Sequence, residues 1–425
     1  MLNSIQPLDR LLCNLLRLDE SPPVSLEGLS DQDWQALLQR ARQQGLGPLL
    51  NMRLRALPGA AAIPEAALQA LQRQHLESGV SALQRLYRLE SVLETFQQAD
   101  IPVIALKGVH LAATVYEDDS LRPMADCDLL LHPRDLEQAE RLLHRLGYSN
   151  ARRFWIDYEM RVSHELPPFC IAGGPTVEVH WTLLVPSLPF SIDLEGLWQR
   201  AIPLQVGSQC ILGLSPEDLL LHLCLHGPTQ HLMRTGVRLI YDVAVTVQHY
   251  QAAIDWGVLE QHARQWRAIR PAHLMLYLAK ELFGAPVPPA ALQALQPEPD
   301  DPKVVEIATQ LAFPALPKNV SFSPGLASLA EAPGLRDRLR LIWERVFVPP
   351  EKLARDYPVL PGSPRVWLYY PVHLVDLFKK HLPSVWKLVR GQPESLAAAQ
   401  YVYHRQALEE ELLARLTSNH LIPKA

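Results

Sequence analysis

The sequence predicts an α+β fold, and three observations carry that prediction. Helix-period apolar stripes fill the first and last parts of the chain. The short apolar runs that read as strands lie between Ile101 and Thr182. Most of these runs end at a glycine or pass straight into a new helical pattern, so strands and helices alternate only there. At 425 residues the chain is too long for one ordinary domain. A 48% apolar and 20% charged composition describes a globular protein with ample core. Four regions are expected: an N-terminal helical region over 1–77, an α/β core over 78–212, a helical domain over 213–300 and a C-terminal helical extension over 301–425.

In chain order, Leu11, Leu12, Leu15 and Leu16 recur at helical spacing, as do Trp34, Leu37 and Leu38 behind the cap Ser30. Leu86, Leu89, Leu93 and Phe96 share one stripe and predict a helix over 80–98. IPVIAL (101–106) reads as a buried strand that Gly108 ends, with a helix over 109–116 after it. Residues 126–131 form the next strand, and 134–146 return to helical period and stop at Gly147. Gly173-Gly174-Pro175 divides two strand candidates near 169–182 into a hairpin. Along its second arm Val177, Val179 and Trp181 face one way, and Glu178, His180 and Thr182 the other. Residues 216–283 read as helical, 284–302 as a proline- and acid-rich linker, and the remainder as helical pieces between proline-rich turns.

Composition excludes some functions. A net charge of -5 disfavours a surface devoted to nucleic acid. Cysteines 13, 127, 170, 210 and 224 show no CxxC spacing and read as reduced thiols of a cytoplasmic protein. The first residues do not read as a signal peptide, and no run of ~20 apolar residues predicts a spanning helix.

The chemistry is concentrated in ALKGVHLAATVYEDDSLRPMADCDLLL (105–131). Asp126 and Asp128 are two apart in a strand, so they project to one side, roughly 6.5–7 Å apart at Cα. Two carboxylates so placed resist ionisation unless a cation lies between them. Mg²⁺, or Mn²⁺, takes hard oxygen ligands and leaves positions for phosphates. Glu178, on the polar face of a later strand, is a third candidate ligand and a candidate proton acceptor. His180 shares that face and can reach substrate or Glu178. Gly108 at a strand-to-helix turn permits close backbone approach, the helix start attracts phosphate, and Lys107 adds a point charge. Arg122 is a second candidate phosphate contact.

Two further motifs are distractions. His222 and His226 share a helix face, but no Glu follows His222, so they read as histidines packed between helices or lining the cleft. Arg238 and Asp242 have i,i+4 spacing, which predicts an intrahelical pair.

The segments LKGVHLAATVY, RPMADCDLLL, AERLLHRLGY and VEVHWTL resemble the uncharacterised bacterial nucleotidyltransferase family of the polymerase-beta-like nucleotidyltransferase superfamily. That resemblance, over roughly 80–250, implies a small mixed sheet with helices followed by a helical domain. It implies Mg²⁺ ligation by Asp126, Asp128 and Glu178, and a phosphate-binding turn at Lys107 and Gly108. The expected activity moves an NMP group from an NTP such as ATP to an unknown acceptor. Val109 stands where the superfamily usually has Ser or Gly, and the gap from Gly108 to Asp126 is long for it. Those departures keep open an alternative, a non-catalytic nucleotide-binding or scaffold module with the same fold. The aromatic, basic stretch 365–391 suggests peripheral membrane contact or, as the favoured reading, a packed helix pair bent at Pro371 and Pro383.

Overall fold

The computed structural model describes residues 5–20, 24–57, 63–150, 152, 154–234, 236–313, 334–357, 359, 363–389 and 393–418. The chain divides into two compact units, one of residues 1–151, 159–313 and 413–425, the other of 152–158 and 314–412.

The first unit opens with α1 (Pro7–Leu15), α2 (Asp31–Gln43), α3 (Gly47–Ala56) and α4 (Glu65–Gln98). Ser30 caps α2 through a reciprocal pair with Asp33, which satisfies two otherwise unpaired amide groups. Helix α4 begins well before the expected start at residue 80, so the expected boundary at 77/78 falls inside it. Its stripe continues backwards through Ala82, Ser78, Leu71 and Ala67, all buried.

A seven-stranded mixed sheet follows, with strands β1 (Ile104–Ala105), β2 (Asp126–Leu130), β3 (Ser149–Asn150), β4 (Phe169–Cys170), β5 (Thr176–His180), β6 (Ile202–Val206) and β7 (Gln209–Gly213). Their order across the sheet is β3-β4-β5-β2-β1-β7-β6. β2 runs parallel to β5 and antiparallel to β1, and β1 runs parallel to β7. The strand expected over 101–106 contracts to two residues because Lys107 already begins α5 (Lys107–Thr114). α6 (Leu136–Arg145) stops as expected at Gly147, whose φ of 89° takes the left-handed turn. The expected hairpin forms between β4 and β5. The β6–β7 hairpin around Gly207-Ser208 lies in a stretch given no strand in the sequence reading.

Helices α7 (Ile156–Val162) and α8 (Leu194–Arg200) interrupt the strands. After β7 come α9 (Pro216–Leu225), α10 (Arg238–His249), α11 (Trp256–Gln265), α12 (Ile269–Phe283), α13 (Pro289–Ala294) and α14 (Pro302–Ala312). The expected linker 284–302 is instead packed: Ala285, Val287, Ala291 and Leu295 are buried, and Pro289 starts α13. Proline at a first helical position costs no hydrogen bond, so these prolines shape a folded segment.

In the other unit, α15 (Leu335–Val346), α16 (Pro350–Asp356) and α17 (Tyr369–Val389) precede α18 (Pro393–Thr417). Val348, Leu353, Val366 and Tyr370 form its small core. One helix, not a pair, carries both Pro371 and Pro383, while Trp367, Leu368, Val375 and Phe378 are exposed. Residues 390 and 391 of the aromatic stretch lie outside the described residues. No helix among the described residues is long and apolar enough to cross a membrane.

Candidate active site

Strand pairing fixes the site. In the parallel β2–β5 ladder Asp126 stands opposite Thr176, Asp128 opposite Glu178 and Leu130 opposite His180. Cys127, Leu129, Val177 and Val179 are fully buried on the other face. Burial of that apolar face forces the alternate residues, acids included, onto the opposite face. Asp128, Glu178 and His180 therefore meet as cross-strand neighbours.

The structure adds Glu165, which the sequence reading missed. An isolated bridge joins Glu165 to His180, and the Leu166 amide donates to the Val179 carbonyl at 2.8 Å. One ligand atom from each of Asp128, Glu165, Glu178 and His180 lies within 4.8 Å of all the others. Asp126 is half-buried beside this group and is not among those four.

The charges are unbalanced. Lys107 Nζ donates to Asp128 Oδ1 at 2.7 Å, and His180 Nε2 lies 3.0 Å from the same oxygen. Burial alone would raise Asp128, but Lys107 and His180 overcome it and hold its carboxyl well below the usual range. Glu178 has His180 Nε2 only at 4.0 Å. Burial, then the negative charges of Glu165, Asp128 and Asp126, push it up to about 9. A carboxyl that keeps its proton at neutral pH because it is buried and other carboxylates crowd it marks a position short of positive charge. The donor set thus fits a divalent cation: oxygen atoms in excess, one resident ammonium, and a displaceable proton.

Lys107 adopts a φ of 38°, in the region that favours glycine, where its side chain is directed to Asp128. Gly108 matters for space. A Cβ there would come within 2.6 Å of Arg122 Nη1 and 2.5 Å of Met124 Sδ. Arg122 cannot give way, because Nε and Nη2 donate to the two oxygens of Asp242 at 3.1 and 2.9 Å. Tyr116 adds its hydroxyl to Asp242 at 2.7 Å. Arg122, expected as a phosphate contact, is thus a buried strut between the turn and α10. Asp242 pairs with Arg122 and not with Arg238, as helical spacing had predicted. Arg238 donates to the Pro123 carbonyl at 2.5 Å instead.

Histidines surround the acids. His164 and His180 have ring centroids 5.2 Å apart, and His222 and His226 5.8 Å apart. Burial, then the Lys107 charge, keeps His222 and His226 neutral, and burial followed by the charge of His180 holds His164 at about 3. His226 heads a π-helical turn, His226–Gln230, and its Nδ1 lies 2.5 Å from Gln230 Oε1. Lys107, His180 and Asp128 all act on the buried His222 of α9, which therefore lies near the acid cluster.

A family model described as "Uncharacterised nucleotidyltransferase" matches residues 30–284, more than half of the chain. No curated protein and no solved structure matches.

Proposed function

The chain belongs to the uncharacterised nucleotidyltransferase family, and from that premise we propose that it transfers an NMP group from an NTP to an acceptor hydroxyl or related nucleophile, with Mg²⁺ or Mn²⁺. The observation that carries this reading is the cross-strand pairing of Asp128 with Glu178, crowded so that Glu178 holds a proton at neutral pH. Asp126, Asp128 and Glu178 would hold the cation, which when bound neutralises charge on the triphosphate. Loss of the Glu178 proton leaves a carboxylate that can accept the proton of the attacking nucleophile. Lys107 balances Asp128 in this structure, and its ammonium is the nearest fixed positive charge for a phosphate arriving at the start of α5. The helix start and Gly108 turn orient the triphosphate, and the buried histidine wall keeps water from the rear of the site. Free cysteines, three of them buried, support a cytoplasmic location.

Incubation of purified protein with Mg²⁺ and each labelled NTP tests the reading. Nucleotide binding and transfer, lost at least a hundredfold in Asp128→Asn, are expected. Absence of both binding and transfer, unchanged in Asp126→Ala, rules the reading out. The Lys107–Asp128 pair favours one second reading, a nucleotide-binding module without turnover, because the ammonium already occupies the place of a cation. Calorimetry separates the two: Mg²⁺-dependent NTP binding with no transfer to any acceptor selects the module.

A further inference from the structure

We propose that His164, Glu165 and His180 form a second cation site, one for a nitrogen-preferring divalent ion of the Zn²⁺ or Co²⁺ kind. One donor atom from each of the three lies within 4.8 Å of the other two. Two imidazoles and one carboxylate form a donor set that suits such ions and leaves a position open, whereas Mg²⁺ prefers oxygen alone. The backbone holds the ligands in place. Trp181 donates its amide to the His164 carbonyl at 3.1 Å, and Leu166 donates to Val179, so residues 164–166 lie as an edge along β5.

An independent observation points to a ligand. His222 is 1% exposed, and neither of its ring nitrogens has a partner. Nδ1 of His164 and Nδ1 of His180 are buried without partners as well. A bare buried polar group costs on the order of 1–3 kcal/mol. An ion beside Glu165 would use Nε2 of His164 and of His180, and the bare His222 is accounted for if a water on that ion reaches it. His180 Nε2, now 3.2 Å from Glu165 Oε2, ligates once its proton moves to the unpartnered Nδ1. His222 then remains as an acceptor for a water on the ion. Glu165 and His180 also belong to the Asp128–Glu178 group, so they stand at the border of an oxygen-rich and a nitrogen-rich half.

Its test reads metal rather than turnover, so the outcome does not depend on nucleotidyl transfer. The full chain, stripped with chelator and held in excess Mg²⁺, is titrated with Co²⁺ while visible ligand-field absorption and bound cobalt are measured. One Co²⁺ per chain is expected, displaced by Zn²⁺ and not by Mg²⁺. His164→Ala, with folding checked by circular dichroism, is expected to weaken Co²⁺ binding roughly tenfold or more. Asp126→Asn is expected to retain it even where nucleotide transfer is lost. The proposal is overturned if the folded chain retains no Co²⁺ in excess Mg²⁺. It is equally overturned if folded His164→Ala binds as tightly as the parent, or if Asp126→Asn loses Co²⁺ as fully as His164→Ala does.

Discussion

Glu178 shows at the scale of one residue how crowding becomes a measurable property. In the unfolded chain a glutamate loses its proton near 4.5, whereas in this site it does so near 9. Between those values the folded state holds a proton that the unfolded state has lost, so this residue lowers stability as pH rises through the window. The depressed histidines act oppositely. His164, His222 and His226 stay neutral when folded, so stability grows as pH rises towards 6.5 and is constant above it. The thiols of Cys13, Cys127 and Cys224, which burial raises above their ordinary 9.0, add a fall of their own as pH nears 9, so the Glu178 effect is isolated between about pH 7 and 8. Urea denaturation of chelator-treated protein is expected to show falling stability over that range, and Glu178→Gln is expected to abolish the fall. An identical pH profile in the variant contradicts the assignment. A bound divalent cation reverses the preference, so Mg²⁺ binding is expected to strengthen with pH and to release a proton. Calorimetry in buffers of different ionisation enthalpy reads that proton directly.

Among elements, α10 is pinned to the turn at Gly108 by one buried carboxylate. Asp242 accepts from Arg122 and Tyr116 with no exposure of its own side chain. Removing one partner of a buried pair leaves the other charge without compensation, at a cost of about 3–5 kcal/mol. Asp242→Ala is expected to lose that much in equilibrium unfolding. Asp242→Asn, which keeps an acceptor oxygen but not the charge, is expected to lose less; equal losses would mean that the acceptor oxygen contributes nothing without the charge. The same element shows what a sequence can and cannot reveal. Local spacing offered Arg238 to Asp242, but Arg122, 120 residues away, won because the fold buries it opposite. β2, β5 and their turn were legible from alternation and glycine, and with them Asp128, Glu178 and His180. Glu165 was not, because it precedes Pro167-Pro168 in irregular chain and only its bridge to His180 brings it inward. The β6–β7 hairpin had a signal, alternation of Ile202, Leu204 and Val206 before Gly207-Ser208, which is the pattern of a two-residue turn. A strand of two residues such as β3 leaves no periodicity to detect, and β1 was legible only as an apolar run.

At the scale of the whole molecule, the site-bearing unit is not one continuous stretch of chain. Residues 413–425 belong to it, though about a hundred residues before them form most of the other unit. Leu416, at the end of α18, is 2% exposed and lines a cleft of about 660 Å³ with Arg264, Ile269 and Arg270. Arg415 pairs with Asp301, the residue whose side chain caps α14 through the Lys303 amide. The last turn of α18 thus holds the start of α14, far in sequence from the acids of β2 and β5. Truncating a buried leucine removes its burial and leaves space that the end of a helix partly refills. The low end of the usual range, about 2 kcal/mol, is the expected cost of Leu416→Ala. Hydrogen exchange localises that cost. Amides of α14 are expected to lose protection by that amount, while those of β2 and β5 change less, since local openings vary across a fold. Unchanged protection in α14 would show that the C-terminal turn of α18 contributes nothing to the unit. A uniform loss across α14 and both strands would instead make the helix end part of a single cooperative block with the candidate active site.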